Sequence, residues 1–173
     1  MAGARCAGAE KEREMKSNLD IATDPETPPE VLWGLLGDPD PQVRWIVAWS
    51  ENVPAEVLAA LSTDMDSDIR EVVGRQPATP PAVLERLAGD HEPRVREAVA
   101  GNPSTPLSAL VRLVADAEAS VRAQVASHAA TPPEVLARLA GDDDPRVQLR
   151  VAWNPATTPS RSTSTPCAAS PPR

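Results

Sequence analysis

The sequence predicts an all-α solenoid of stacked short helix pairs, and three observations lead to it. A Val-Leu pair, once Ala-Leu, recurs every 26 residues at Val31-Leu32, Val57-Leu58, Val83-Leu84, Ala109-Leu110 and Val135-Leu136. A second pair keeps the same step: Val43-Arg44, Ile69-Arg70, Val95-Arg96, Val121-Arg122 and Val147-Gln148. Proline returns in register at Pro28, Pro54, Pro80, Pro106 and Pro132, as punctuation between elements. A unit this short, repeated without insertion or deletion, cannot bury its own apolar face and must stack on its neighbours into one continuous core. The chain has no Phe and no Tyr, so that core is built from Val, Leu, Ile and Ala.

Each unit reads as two helices. The first starts at Thr-Pro, with Thr27, Thr79, Thr105 and Thr131 placed as N-caps and the following Pro at the first helical position. Thr-Pro-Pro-Glu in the first and fifth units puts Glu30 and Glu134 where a capping box would close. The second unit has Val53 in place of Thr, a weaker start. The apolar stripe of this helix is Val31, Leu32 and Leu35, with Leu61, Leu87, Leu113 and Leu139 at the last register. It ends near Gly37, Gly89 or Gly141, and an acid follows.

The second helix starts after Asp40, Asp66, Glu92, Glu118 or Asp144, with Pro41, Pro93 and Pro145 at its first position. Its buried stripe is an i, i+4 pair, Val43 and Val47, repeated as Ile69/Val73, Val95/Val99, Val121/Val125 and Val147/Val151. The next residue is always small (Ala48, Gly74, Ala100, Ala126, Ala152), which lets adjacent units approach closely. Gln76-Pro77, Asn102-Pro103 and Asn154-Pro155 stop the helix, because a residue before Pro is pushed out of the α region.

The motif D-x-D-P-x-V-R-x-x-V-A-x-N-P-x-T-P-P-E-V-L closely resembles the leucine-rich repeat variant family. That resemblance implies a right-handed solenoid of alternating short helices, α and 3-10-like, without β-strands. It covers about residues 17–157: a half-repeat at 17–26 and full units beginning at 27, 53, 79, 105 and 131. The founding type of the family also carries a cysteine-rich iron–sulfur module. Cys6 stands alone here, so no cluster and no other cofactor is implied. Residues 1–16 read as a charged extension, a frayed helix shielding the N-terminal end. Residues 158–173 read as a disordered Pro/Ser/Thr-rich tail, since the Val-Leu pair due at 161 and 162 is Arg161-Ser162. The face of Val147, Val151 and Trp153 is then left without a successor unit, to be covered by the tail, a partner or a second copy.

Charge bounds the function. Residues 17–157 hold 11 basic residues, all Arg, against 22 acidic ones, a net −11 that repels phosphate backbones, so no nucleic-acid partner is expected. No stretch is long and apolar enough for a signal peptide or a membrane span, and two cysteines make no disulfide framework, so the expected location is cytoplasmic. Asp64-Met-Asp-Ser-Asp68 begins like a calcium loop, but the positions that should be Gly and Glu are Ile69 and Arg75. His91 and His128 lie in different registers with no ligand partner nearby, and no nucleophile elbow, P-loop or dinucleotide fingerprint occurs. The expectation is a protein without metal, cofactor or enzymatic activity.

Two sets of residues remain as candidates. One is a ladder of Asp38, Asp64, Asp90, Asp116 and Asp142 with Arg44, Arg70, Arg96 and Arg122. It reads either as an anion-binding stripe or as structural ion pairing at the inter-helix turns, and the joint recurrence of acid and base favours pairing. The other is the tryptophans, since positions that vary between units are where a solenoid carries specificity. Trp33, Trp45 and Trp49 cluster in the first full unit, and Trp153 repeats the register of Trp49. The Trp45 register holds Glu71, Glu97, Ala123 and Leu149 elsewhere, which places Trp45 on the surface as the strongest partner-binding candidate. The functional expectation is a non-enzymatic scaffold for a protein partner, or for self-association through the C-terminal repeat face. The alternatives are a nucleic-acid module like the HEAT-like DNA glycosylases, which the charge opposes, and a regulatory repeat protein acting on an enzyme, by fold analogy.

Overall fold

A computed structural model describes residues 17–157, and all the regular structure among them is helical. The order is α1 (Asn18–Thr23), α2 (Pro29–Gly34), α3 (Pro41–Trp49), α4 (Ala55–Leu61), α5 (Ser67–Arg75), α6 (Pro81–Leu87), α7 (Pro93–Gly101), α8 (Leu107–Leu113), α9 (Ala119–Ser127), α10 (Pro133–Leu139) and α11 (Pro145–Trp153). The charged extension and the tail lie outside the described residues. No described helix is long and apolar enough to cross a membrane.

The nine-residue helices α3, α5, α7, α9 and α11 form one layer, each packed directly on the next, with α1 as its first, shorter member. The shorter helices α2, α4, α6, α8 and α10 form the second layer and approach one another far less. Between the layers runs one core: Val47, Leu58, Ile69, Val73, Leu84, Val95, Val99, Leu110, Val121 and Val125 are all fully buried. The small residue after each second valine is the reason the long helices come so close. Ala48, Ala100 and Ala126 are fully buried, and a Cβ added to Gly74 would stand 3.2 Å from the Cβ of Ala98 on the neighbouring helix. At the end of the array Ala152 is exposed, and so is Val31 at the other end, because neither has the flanking unit that covers its counterparts.

The long helices begin where the sequence places them. Asp40, Asp66 and Asp144 cap α3, α5 and α11, their carboxylates accepting from the backbone N–H two residues on. Glu92 and Glu118 hold the same position without a side-chain capping bond, since the longer side chain fits the cap poorly.

The short helices depart from expectation at both ends. Their N-caps are Pro28, Pro54, Pro80, Pro106 and Pro132, in extended conformation, and where a second Pro follows it takes the first helical position. The preceding Thr is not a cap. Its hydroxyl donates backwards to the end of the previous long helix: Thr27 to Ile21 O, Thr79 to Val73 O, Thr105 to Val99 O and Thr131 to Val125 O, at 2.5–2.6 Å. The orphan carbonyl of a helix C-terminus thus outcompetes the orphan N–H of the next helix. With the start displaced by one residue, Glu30 and Glu134 no longer stand at the third position and close no capping box; the described capping box is Ser17 with Asp20 on α1. These helices also end before the glycines, at Gly34, Leu61, Leu87, Leu113 and Leu139. The residues up to the acid form a tighter turn with i→i+3 bonds such as Asp90 N–H to Leu87 O.

Candidate functional site: two inter-unit ladders and an aromatic face

The Asp/Arg ladder is an inter-unit joint. Arg96 Nε and Nη2 donate to both carboxylate oxygens of Asp116 in the next unit, at 2.7 and 3.0 Å, while Nη1 donates to Asp90 O and His91 O of its own turn, at 2.8 and 3.0 Å. Arg44 with Asp64, Arg70 with Asp90 and Arg122 with Asp142 repeat the fork at 2.6–3.1 Å. Each Asp also accepts from the backbone N–H two residues ahead, which holds its turn in shape. The planar guanidinium fits this bidentate geometry, whereas an ammonium could not fill it. The ladder is closed at both ends by shorter side chains. Asn18, in the arginine register of the half-repeat, donates to Asp38 at 2.5 Å. Gln148, in the last arginine register, keeps only the bond to its own turn, Asp142 O at 2.6 Å.

These joints set the electrostatics. Burial raises the affinity of Asp64, Asp90 and Asp116 for a proton, but the facing arginine and the backbone N–H outweigh it, so all three titrate below the usual 3.8. For Asp142 the hydrogen bond from Arg122 dominates from the outset, with the same direction. A carboxylate held below its unfolded value contributes stability above that value and loses it as pH falls through the folded one. Melting temperature is therefore expected to be level from neutral pH to about pH 5 and to fall steeply below about pH 4. Thermal denaturation across that range checks it.

A second ladder was missed in the sequence. Positions 50, 76, 102, 128 and 154 are polar in every unit: Ser50, Gln76, Asn102, His128 and Asn154. From Gln76 onward each side chain reaches back to the preceding unit. Gln76 donates to Ala48 O at 2.7 Å, Asn102 to Gly74 O at 2.7 Å and Gln76 O at 2.8 Å, and Asn154 to Ala126 O at 2.8 Å. His128 joins the series with Nε2 2.9 Å from Asn102 O, while its Nδ1 accepts from Ala130 N–H at 3.1 Å. Acceptance at Nδ1 leaves the neutral ring's proton on Nε2, so His128 donates as its amide counterparts do. His128 is thus a structural link, and no group of described residues has the make-up of a metal site. Asn102 is 1% exposed. Asn102→Ala is expected to cost about 2 kcal/mol, since it strands the buried Gly74 O and removes the acceptor of Ser104 N–H, while Gln76 O keeps Thr79 N–H; chemical denaturation measures this.

With both ladders committed to the fold, the tryptophans remain. Trp45 and Trp49, one turn apart on α3, stack with ring centroids 5.5 Å apart and planes 5° from parallel. They lie on the outward side of the long-helix layer and are 38% and 56% exposed. Trp153 ends the same layer at 69% exposure, with exposed Leu149 one turn before it. Trp33 does not join this face: it stands exposed on α2, in the other layer. Val147 and Val151, expected to be left uncovered, are buried within the fifth unit, so the uncovered apolar surface at that end is Trp153 and Leu149. Thr157 closes α11 by donating to Val151 O.

Comparison with known proteins places these features. The profile of the family described as "Leucine rich repeat variant" matches residues 93–118 and 119–144, two successive units in the C-terminal half of the array. No curated protein matches the chain. Among solved structures, one described as "a leucine-rich repeat variant with a novel repetitive protein structural motif" is similar at 28% identity and TM-score 0.53, covering 78% of this chain and 64% of that one. The chain therefore spans just under two thirds of the length of that protein. An engineered protein is similar at 21% identity and TM-score 0.44, covering 78% of this chain and 85% of the other. The units at 93–118 and 119–144 are leucine-rich repeat variant units, and the solenoid around them has the fold of that family.

Proposed function

We propose that the chain is a non-enzymatic repeat scaffold for protein–protein interaction, and that it binds through the outward face of the long-helix layer. The observation that carries this is the exposure of Trp45, Trp49, Leu149 and Trp153 on that one face. The repeating valines and leucines, the Asp/Arg pairs and the polar register at the long-helix ends are accounted for by core, ladder or turn. These four large apolar side chains serve none of them, and exposed indoles are the commonest anchors of protein interfaces. The ladder arginines support a protein rather than a nucleic-acid partner, because their guanidinium groups are already held by carboxylates and are not free to take phosphates. Affinity capture from native lysate tests the reading. A specific protein retained by the wild type and lost with Trp45→Ala supports it; identical recovery with both contradicts it. Self-association through Trp153 would appear as a concentration-dependent mass in sedimentation that Trp153→Ala abolishes.

A further inference from the structure

The charge of the array is concentrated at one end. Residues 17–68 hold 11 carboxylates and a single cation, Arg44, whereas residues 69–157 hold 11 carboxylates and 10 arginines. Arg44 is 9% exposed and fully engaged by Asp64 and Asp38 O, so among the described residues 17–68 it adds no free cation to the surface. The stacked indoles of Trp45 and Trp49 sit in this same acidic end. Two cavities flank them, at opposite ends of α3. One, of about 410 Å³, has Leu19, Trp45 and Ile46 as its apolar floor and Asp66 and Asp68 at its rim. The other, of about 380 Å³, has Ile46 and Trp49 on the floor and Glu51 at the rim.

Resting on the scaffold reading, we infer that this end is a docking site for an extended basic peptide segment, and that its arginine or lysine side chains lie along the tryptophan stack with their charges at the carboxylate rims. The chemistry of the walls selects such side chains. An arginine or lysine stem is apolar and covers indole well, its cation is attracted to the ring face, and its charge ends beside a carboxylate. An acidic or purely aliphatic segment would satisfy one wall and offend the other. The two cavities meet at Ile46 and extend toward opposite ends of α3, so their far edges are about 12 Å apart. An extended chain advances about 3.3 Å per residue, so two basic residues about four apart reach both cavities at once. The net negative charge of residues 17–68 would also draw such a segment in and make its association sensitive to salt.

Fluorescence anisotropy of a labelled nine-residue alanine peptide with arginines at its third and seventh positions tests this, beside the same peptide with glutamate or glutamine there. The expected result is saturable binding of the arginine peptide alone to wild type, weakening as salt is raised. Trp45→Ala and the exposed-surface variant Asp68→Asn, both checked for native circular dichroism, should each bind about tenfold more weakly or worse. Absence of saturable arginine-peptide binding, or equal affinity in wild type and both variants, overturns the inference. If it falls while Trp45-dependent capture of a cellular protein persists, the scaffold reading stands with a partner of other chemistry. If that capture also fails, both readings fall together.

Discussion

Arg96→Met is expected to lower the stability of the folded chain by about 3 kcal/mol, although it adds apolar surface and removes no core residue. The side chains of Arg96 and Asp116 retain only 16% and 6% of their exposure, so the pair is largely withdrawn from water. Met cannot donate. Asp116 would keep the hydrogen bond from Glu118 N–H but lose its cation, and Asp90 O and His91 O would lose their shared donor. Removal of one member of a buried pair is costly because the charge left behind has no compensation. An exposed ion pair such as Arg75 with Glu71, whose arginine side chain is 52% exposed, should by contrast cost well under about 1 kcal/mol when broken. Chemical denaturation of Arg96→Met and Arg75→Met side by side measures the difference.

Deletion of one whole unit, residues 79–104, should leave a cooperatively folded protein, and deletion of residues 79–91 alone should not. The ladders explain why. After the whole-unit deletion Arg70 meets Asp116 where it had met Asp90, Thr105 takes the place of Thr79 beneath Val73 O, and His128 Nε2 meets Gln76 O in place of Asn102 O. The Asp/Arg and Thr joints are remade in kind, and the polar link is remade with an imidazole in place of an amide. The half-unit deletion sets a long helix where a short one is required, so that Val95 and Val99 no longer meet Ile69 and Val73, and the Arg70 joint has no carboxylate. Repeat arrays tolerate loss of a unit because each contacts only its neighbours, and for the same reason they do not tolerate loss of register. Thermal melts of the two deletions followed by circular dichroism read out the contrast.

Much of this architecture is legible in the chain because identical chemistry returns at identical spacing. The acid at the start of the long helices is a local signal, and the structure keeps it as a cap at Asp40, Asp66 and Asp144. Thr-Pro is a local signal of another kind, since a hydroxyl both accepts and donates. Which role Thr79 takes is decided by a carbonyl six residues back that becomes its neighbour only once the turn has closed. The polar register of Gln76, Asn102, His128 and Asn154 was present in the sequence, but a residue before proline reads first as a helix stop, and that role masks the bond to the previous unit. His128 hides it further, because a histidine among amides looks like an exception until its Nε2 is found doing what they do. For the aromatic face, comparison between units predicts that Trp45 is on the surface, and the i, i+4 spacing to Trp49 allows the stack. What register cannot show is the company the pair keeps: Asp66 and Asp68 belong to the following unit and reach the Trp45 cavity only through the superhelical stacking of α5 on α3.

Bidentate Arg–Asp forks fasten four pairs of successive units, and these joints, rather than a binding role, explain the ladder. A double-mutant cycle on Arg96 and Asp116 tests this most directly, with unfolding free energies of Arg96→Met, Asp116→Asn and the double variant. A favourable coupling of about 2 kcal/mol or more between the two side chains is expected, with the double variant less destabilised than the sum of the single ones. A coupling within about 0.5 kcal/mol of zero would contradict it and return the arginines to the surface as candidates for binding.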